Sequence, residues 1–136
     1  MKKQETRRVP RYAFPRTSGL VKREPSWALR FFVRQRSTPV NVLDVSPYGA
    51  QILSPTPIEA NQEVEMTMHI PMLKEPVPVK GVVRYVSRID VAGQKPRWNA
   101  GLKFFEYGAN GKERLKKLCE SEVAWMYEKK RTTVTA

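Results

Sequence analysis

The sequence predicts an all-β fold with a C-terminal helix: a six-stranded antiparallel β-barrel. Three observations lead there. Short segments with alternating apolar residues recur along residues 28–106, each ended by Pro, Gly or Asn. No helix-length pattern separates them, so no βαβ unit forces a parallel sheet. After Asn110 the apolar spacing changes from two to 3.6 residues. Closing short strands into a barrel removes the exposed edges that an open sheet would leave.

Residues 1–27 read as a basic, irregular segment, since Pro10, Pro15, Pro25 and Gly19 interrupt any period. ALRFFVRQ follows as a strand, with Leu29, Phe31 and Val33 on one face. PVNVLDVS is next, with Val40 and Val42 on one face and Asn41, Leu43 and Val45 on the other. PYG turns the chain into AQILS. EVEMTMHI sends Val64, Met66, Met68 and Ile70 inward and leaves Glu63, Glu65, Thr67 and His69 outside. VPVKGVVRYVSRI is a long strand, and Gly81 within it marks a bulge or sharp bend. WNAGLKFFE is the last strand. The helix starts from Asn110 as N-cap and carries Leu115, Leu118, Cys119, Val123, Met126 and Tyr127 on one stripe. Trp27 and Trp125 are assigned to core or helix packing. Residues 28–130 thus form the barrel and its helix, and 131–136 a frayed tail.

A chain of 136 residues, 40% hydrophobic and 10% aromatic, supports one domain with a modest core. No run is long and apolar enough for a membrane span, and no apolar stretch follows the basic N-terminus as in a signal peptide. One cysteine, Cys119, fits a reducing compartment, and a cytoplasmic location is expected. The net charge is +12. Residues 1–36 hold eleven of the 25 basic residues and two of the 13 acidic ones, so the excess gathers at the N-terminal end. That asymmetry points to an anionic partner: nucleic acid, nucleotide or membrane surface.

Catalysis finds little support, and the expectation is that the protein is not an enzyme. The single histidine, His69, lies on an outward strand face, and one Cys with one His cannot build a Cys/His zinc site. Cys119 reads as a small core residue. There is no Gly-rich phosphate loop. No metal or cofactor is expected.

Two short motifs remain. The first is RRVPRYAF, with Arg7, Arg8 and Arg11. By itself it reads as a solvated basic tail. The second is DVSPYG, with Asp44, Ser46 and Gly49 at a strand–turn–strand junction. By itself it reads as a turn, in which Asp and Ser bond nearby backbone and Gly accommodates positive φ. Arg7-x-x-x-Arg11 followed downstream by Asp44-x-Ser46-x-x-Gly49, with the later GLKFFE, resembles the PilZ domain family of bacterial receptors for cyclic di-GMP. The resemblance runs from Arg7 to the C-terminal helix. A second Arg-x-x-x-Arg, Arg30 to Arg34, falls inside an expected strand and is read as barrel exterior.

The resemblance implies a cyclic di-GMP-binding effector in which Arg7, Arg8, Arg11, Asp44, Ser46 and Gly49 form the ligand site. It also implies a downstream protein partner that the sequence does not identify. The ligand's chemistry suits these residues. A guanidinium pairs with guanine O6 and N7, binds phosphate, or stacks on a base. A carboxylate accepts from guanine N1–H and N2–H₂. Arg84, Arg88 and Trp98 are auxiliary candidates, with packing at the rim as their alternative role. Two other functions compete: a PilZ-like protein-interaction module without nucleotide, and a basic β-barrel that binds nucleic acid. The latter usually interleaves exposed aromatics with basic residues on one sheet face, whereas Phe31 and Phe104 read as core. The spacing from Arg11 to Asp44 is long for the family, which raises the question of how the arginines reach the barrel.

Overall fold

The computed structural model describes residues 10–23, 37–121 and 124–128. Arg7, Arg8, Trp27, Val123, the expected strand ALRFFVRQ and the Arg30–Arg34 pair lie outside these residues. Among the described residues there are six strands: β1 (Ser18–Arg23), β2 (Ser37–Ser46), β3 (Gly49–Ser54), β4 (Glu63–His69), β5 (Val77–Ile89) and β6 (Arg97–Tyr107). They close in the order β1-β2-β3-β6-β5-β4, and every pairing is antiparallel. Helix α1 (Gly111–Cys119) and a single 3₁₀ turn (Ala124–Tyr127) follow. Among the described residues, no helix is long and apolar enough to cross a membrane.

The barrel begins at β1, inside the segment that the sequence assigns to an irregular region. SGLVKR hides its strand character. Its inward positions are Val21, 1% exposed, and Gly19, where an added Cβ would lie 2.9 Å from the Met66 sulfur. A glycine filling a core position leaves no apolar alternation to read. β4 matches its expected pattern: Val64, Met66, Met68 and Ile70 are all buried, while Glu63, Glu65 and His69 are exposed.

Two further differences come from bulges. β2 shifts register between Val42 and Asp44. Leu43 is the extra residue, so Val45 returns to the inner face with Val42 and is 1% exposed. Val45 therefore belongs to the core, opposite Ala50, and not to the face of Asn41. β5 carries the expected bulge at Lys80–Gly81 and another at Val83–Tyr85.

α1 is shorter than the sequence pattern implies. It caps at Glu120, and the Ser121 hydroxyl donates to the Leu118 carbonyl at 2.7 Å. Leu115 and Leu118 face the core as expected. Beyond the break, the 3₁₀ turn changes the phase of the stripe. Ala124 is buried, whereas Trp125 and Met126 are 70% and 62% exposed and do not pack in the core. Asn110 occupies the N-cap with φ 56°, but makes no capping bond through its side chain. Arg114 ties the helix down by donating to the carbonyls of Ala109, Glu75 and Pro76 at 2.8–2.9 Å.

Candidate ligand-binding site

The bulge at Leu43 decides which way the second motif faces. Past it, Asp44 pairs with Gln51 and Ser46 with Gly49, both outward-facing registers, while Val45 between them points inward. Asp44 and Ser46 thus share the outer face of the barrel. They are nevertheless 1% and 5% exposed. The arm, residues 10–14, lies against this end of β2. Tyr12 bridges to Val45, with each N–H donating to the other's carbonyl at 2.9 Å.

That bridge sets Arg11 on the outer side. Its Nη1 lies 3.6 Å from Asp44 Oδ1. The Arg11 side chain is 28% exposed and that of Asp44 is fully covered. A buried carboxylate needs a nearby counter-charge, which the arm supplies. The long spacing between the motifs therefore does not keep Arg11 from Asp44: β1 takes up part of it, and the chain before β1 folds back on the end of β2.

Ser46 accepts the Tyr48 N–H at 3.1 Å, shaping the two-residue turn. Gly49 serves a different purpose from the one expected of a turn glycine. Among the described residues Gly93 is the glycine with positive φ, and Gly49 is not. A Cβ at Gly49 would overlap the backbone carbonyl oxygen of Leu102 on β6. The absent side chain lets β3 and β6 approach.

The turn is braced from behind. Tyr107 donates its hydroxyl to the Pro47 carbonyl at 2.6 Å, and burial, with Tyr48 adding, raises its pKa. Lys112 on α1 stands over the rings of Tyr48 and Tyr107, 5.4 and 5.9 Å from their centroids. A cleft of about 200 Å³ opens between the arm, the turn and α1, lined by Pro10, Tyr12, Tyr48, Lys116 and Cys119 among others. Burial, with Glu120 adding, pushes the Cys119 thiol up to about 11. The thiol stays protonated at neutral pH, so alkylation by iodoacetamide at pH 8 should run about a hundredfold slower than for a free cysteine. Mass spectrometry of native against urea-unfolded protein measures this, and equal rates would contradict it.

The auxiliary candidates are placed elsewhere. Arg88 pairs with Trp98 across β5 and β6, stacking 5.7 Å from its ring centroid, and bonds Asp90 at 3.0 Å. Trp98 and Ala100 share the parity opposite to that of Gly101, so Arg88 and Trp98 face each other and not the strip beside Asp44. Arg84 is exposed at the second β5 bulge, where its equal parity with Arg88 no longer implies a shared face.

One aromatic on the outer strip escaped sequence reasoning. The rows of the sheet run Asp44, Gln51, Gly101, Tyr85. Tyr85 lays its ring on Gly101, where a Cβ would collide with it, and is 44% exposed. The signal was an aromatic opposite a glycine across a hairpin. Reading it requires the register, which the bulge at Arg84 shifts. Arg11, Asp44, Ser46 and Tyr85 thus border one outer strip about 14 Å wide, three strand spacings.

A protein-family model described as the PilZ domain matches residues 5–121. No curated protein matches the chain. Among solved structures, the Bacillus subtilis inhibitor of motility MotI/DgrA aligns with a TM-score of 0.56 at 15% identity, over 88% of this chain and 52% of that one. K. pneumonia MrkH in its apo state aligns with a TM-score of 0.64 at 13% identity, over 87% of this chain and 51% of that one. The chain therefore spans about half the length of these two neighbours. The PilZ domain of YcgR from Escherichia coli, solved with c-di-GMP, aligns with a TM-score of 0.59 at 13% identity, over 84% of this chain and 88% of that one. At these identities the likenesses establish the fold.

Proposed function

The chain belongs to the PilZ domain family, and on that premise we propose that it is a cyclic di-GMP receptor that acts by binding, not by catalysis. The observation that carries this reading is the contact of Arg11 with Asp44 at 3.6 Å, which joins the two distant motifs at one place on the barrel exterior. Structural neighbours solved with the same ligand, MrkH and the YcgR PilZ domain, support it.

Each residue then has a role. Arg11, partly exposed, offers its guanidinium to a guanine edge or a phosphate. Asp44 lies against Arg11, so with the arm in place it orients that guanidinium toward the ligand. Ser46 fixes the turn and retains an O–H to donate. Tyr85 provides a flat face for the second base at the far side of the strip. Arg7 and Arg8 precede Arg11 in the sequence and are proposed to add charge for the two phosphates. The N-terminal positive charge would speed capture of the dianion. Ordering of the arm by ligand would then alter what a downstream protein meets.

Calorimetric titration of the chain with cyclic di-GMP, GTP and a short oligonucleotide tests the proposal. Heat with cyclic di-GMP alone, saturating at one or two molecules per chain, is expected. No heat with cyclic di-GMP, or salt-steep binding of the oligonucleotide in its place, would reject it.

A further inference from the structure

The arm that carries Arg11 is held from two sides. On one side lies β2, through the Tyr12–Val45 bridge. On the other lies the C-terminal turn: Tyr12 also bridges to Glu128, and the Ala13 N–H donates to the Tyr127 carbonyl at 2.8 Å. The side chains repeat this arrangement. Phe14, 3% exposed, stacks on Tyr12 at 5.7 Å and meets the Tyr127 ring, tilted by 60°, at the same distance. The Thr17 hydroxyl donates to the Phe14 carbonyl at 2.8 Å and fixes the arm's exit toward β1.

We propose that Phe14 and Tyr127 are positioning residues of the ligand site: the C-terminal turn holds the arm where Arg11 meets Asp44, so ligand and C-terminal turn grip the arm cooperatively. This rests on the receptor reading above. Fixing a residue's backbone costs conformational entropy. A ligand that needs residues 10–14 in place meets a smaller cost when the turn has already ordered them. Linkage makes the effect reciprocal, so bound ligand must tighten the turn against the arm. Arg11 itself touches neither Phe14 nor Tyr127 in the contacts described, so their influence on ligand passes through the backbone of Tyr12 and Ala13. The turn also carries Trp125 and Met126 outward, so what the ligand steadies is an exposed apolar pair.

The test is a calorimetric cycle on the full chain with cyclic di-GMP. Tyr127→Ala should weaken binding about tenfold, a typical coupling between linked sites. Tyr127→Phe keeps the ring and should bind as the wild type does. In an Arg11→Ala background, Tyr127→Ala should cost less than in the wild type, because it acts through Arg11. Amide exchange at Ala13 should slow on adding ligand to the wild type and not to the Tyr127→Ala protein. Thermal melts of each variant confirm that the barrel is folded. A binding wild type beside a Tyr127→Ala protein of equal affinity, or strictly additive losses, would overturn this inference and leave the receptor reading standing. Absence of heat with the wild type would overturn both.

Discussion

Replacing Arg11 with alanine is expected to weaken cyclic di-GMP binding by 30-fold or more and to destabilise the ligand-free protein by about 2 kcal/mol. The two losses have different origins. Truncating one partner of a charged contact in a partly dry site costs roughly 2–5 kcal/mol, and each 1.4 kcal/mol is a decade in affinity. The stability loss arises at Asp44. Its side chain is fully covered, and the guanidinium 3.6 Å away is one counter-charge to it. Removing one member of a buried pair costs about 3–5 kcal/mol, and partial exposure of Arg11 reduces that to about 2. Arg11→Lys separates the terms. A lysine restores the charge but not the planar fork, so stability should recover while affinity does not. Arg11→Ala/Asp44→Asn should likewise regain stability without regaining ligand. Denaturant unfolding and calorimetry on the same samples give both numbers. An Arg11→Ala protein that binds with wild-type affinity would refute the assignment of Arg11.

The same pair shows where sequence reading succeeds and where it stops. β4 was legible because four successive inward positions are apolar, and Gly81 was legible as a bulge because glycine interrupts an otherwise Val-rich strand. The motif around Asp44 was legible as residue types and order. Its facing was not: simple alternation puts Val45 outside, and the extra residue at Leu43 reverses that. β1 was hidden because its core contribution is one valine and a glycine. The stripe drawn through Met126 failed for a related reason. Periodicity assumes an unbroken helix, and the break at Glu120–Ser121 puts Trp125 and Met126 in solvent while Tyr127 turns to the arm. The misses at Val45 and Met126 are phase shifts of one or two residues. A local pattern cannot report such shifts, because the partner strand or the packed arm determines them.

Gly49→Ala is expected to produce the largest loss of stability among substitutions in the motif, about 3 kcal/mol, or a fall in Tm of roughly 10 °C. A glycine in such a motif invites two explanations, a ligand that must come close and a backbone that must turn, and the structure supplies a third. The added methyl would overlap the Leu102 carbonyl oxygen, a main-chain atom in the β3–β6 ladder that cannot swing aside as a side chain would. Relief requires β3 to part from β6 where Gly49 pairs with Lys103 and the Phe104 N–H donates to the Tyr48 carbonyl at 2.8 Å. Two other glycines calibrate the measurement. At Gly93 a Cβ meets nothing within 4 Å, but φ is +80°, so Gly93→Ala should cost only about 1 kcal/mol of backbone strain. At Gly101 the obstacle is the Tyr85 ring, which can rotate away, so Gly101→Ala should spare the fold more than Gly49→Ala does and disturb the outer strip instead. A Gly49→Ala protein that melts with the wild type but no longer binds cyclic di-GMP would return this glycine to the ligand. A protein that melts far below it assigns the glycine to the barrel, and makes the close approach of β3 to β6 the reason the turn can present Ser46 and Asp44 together.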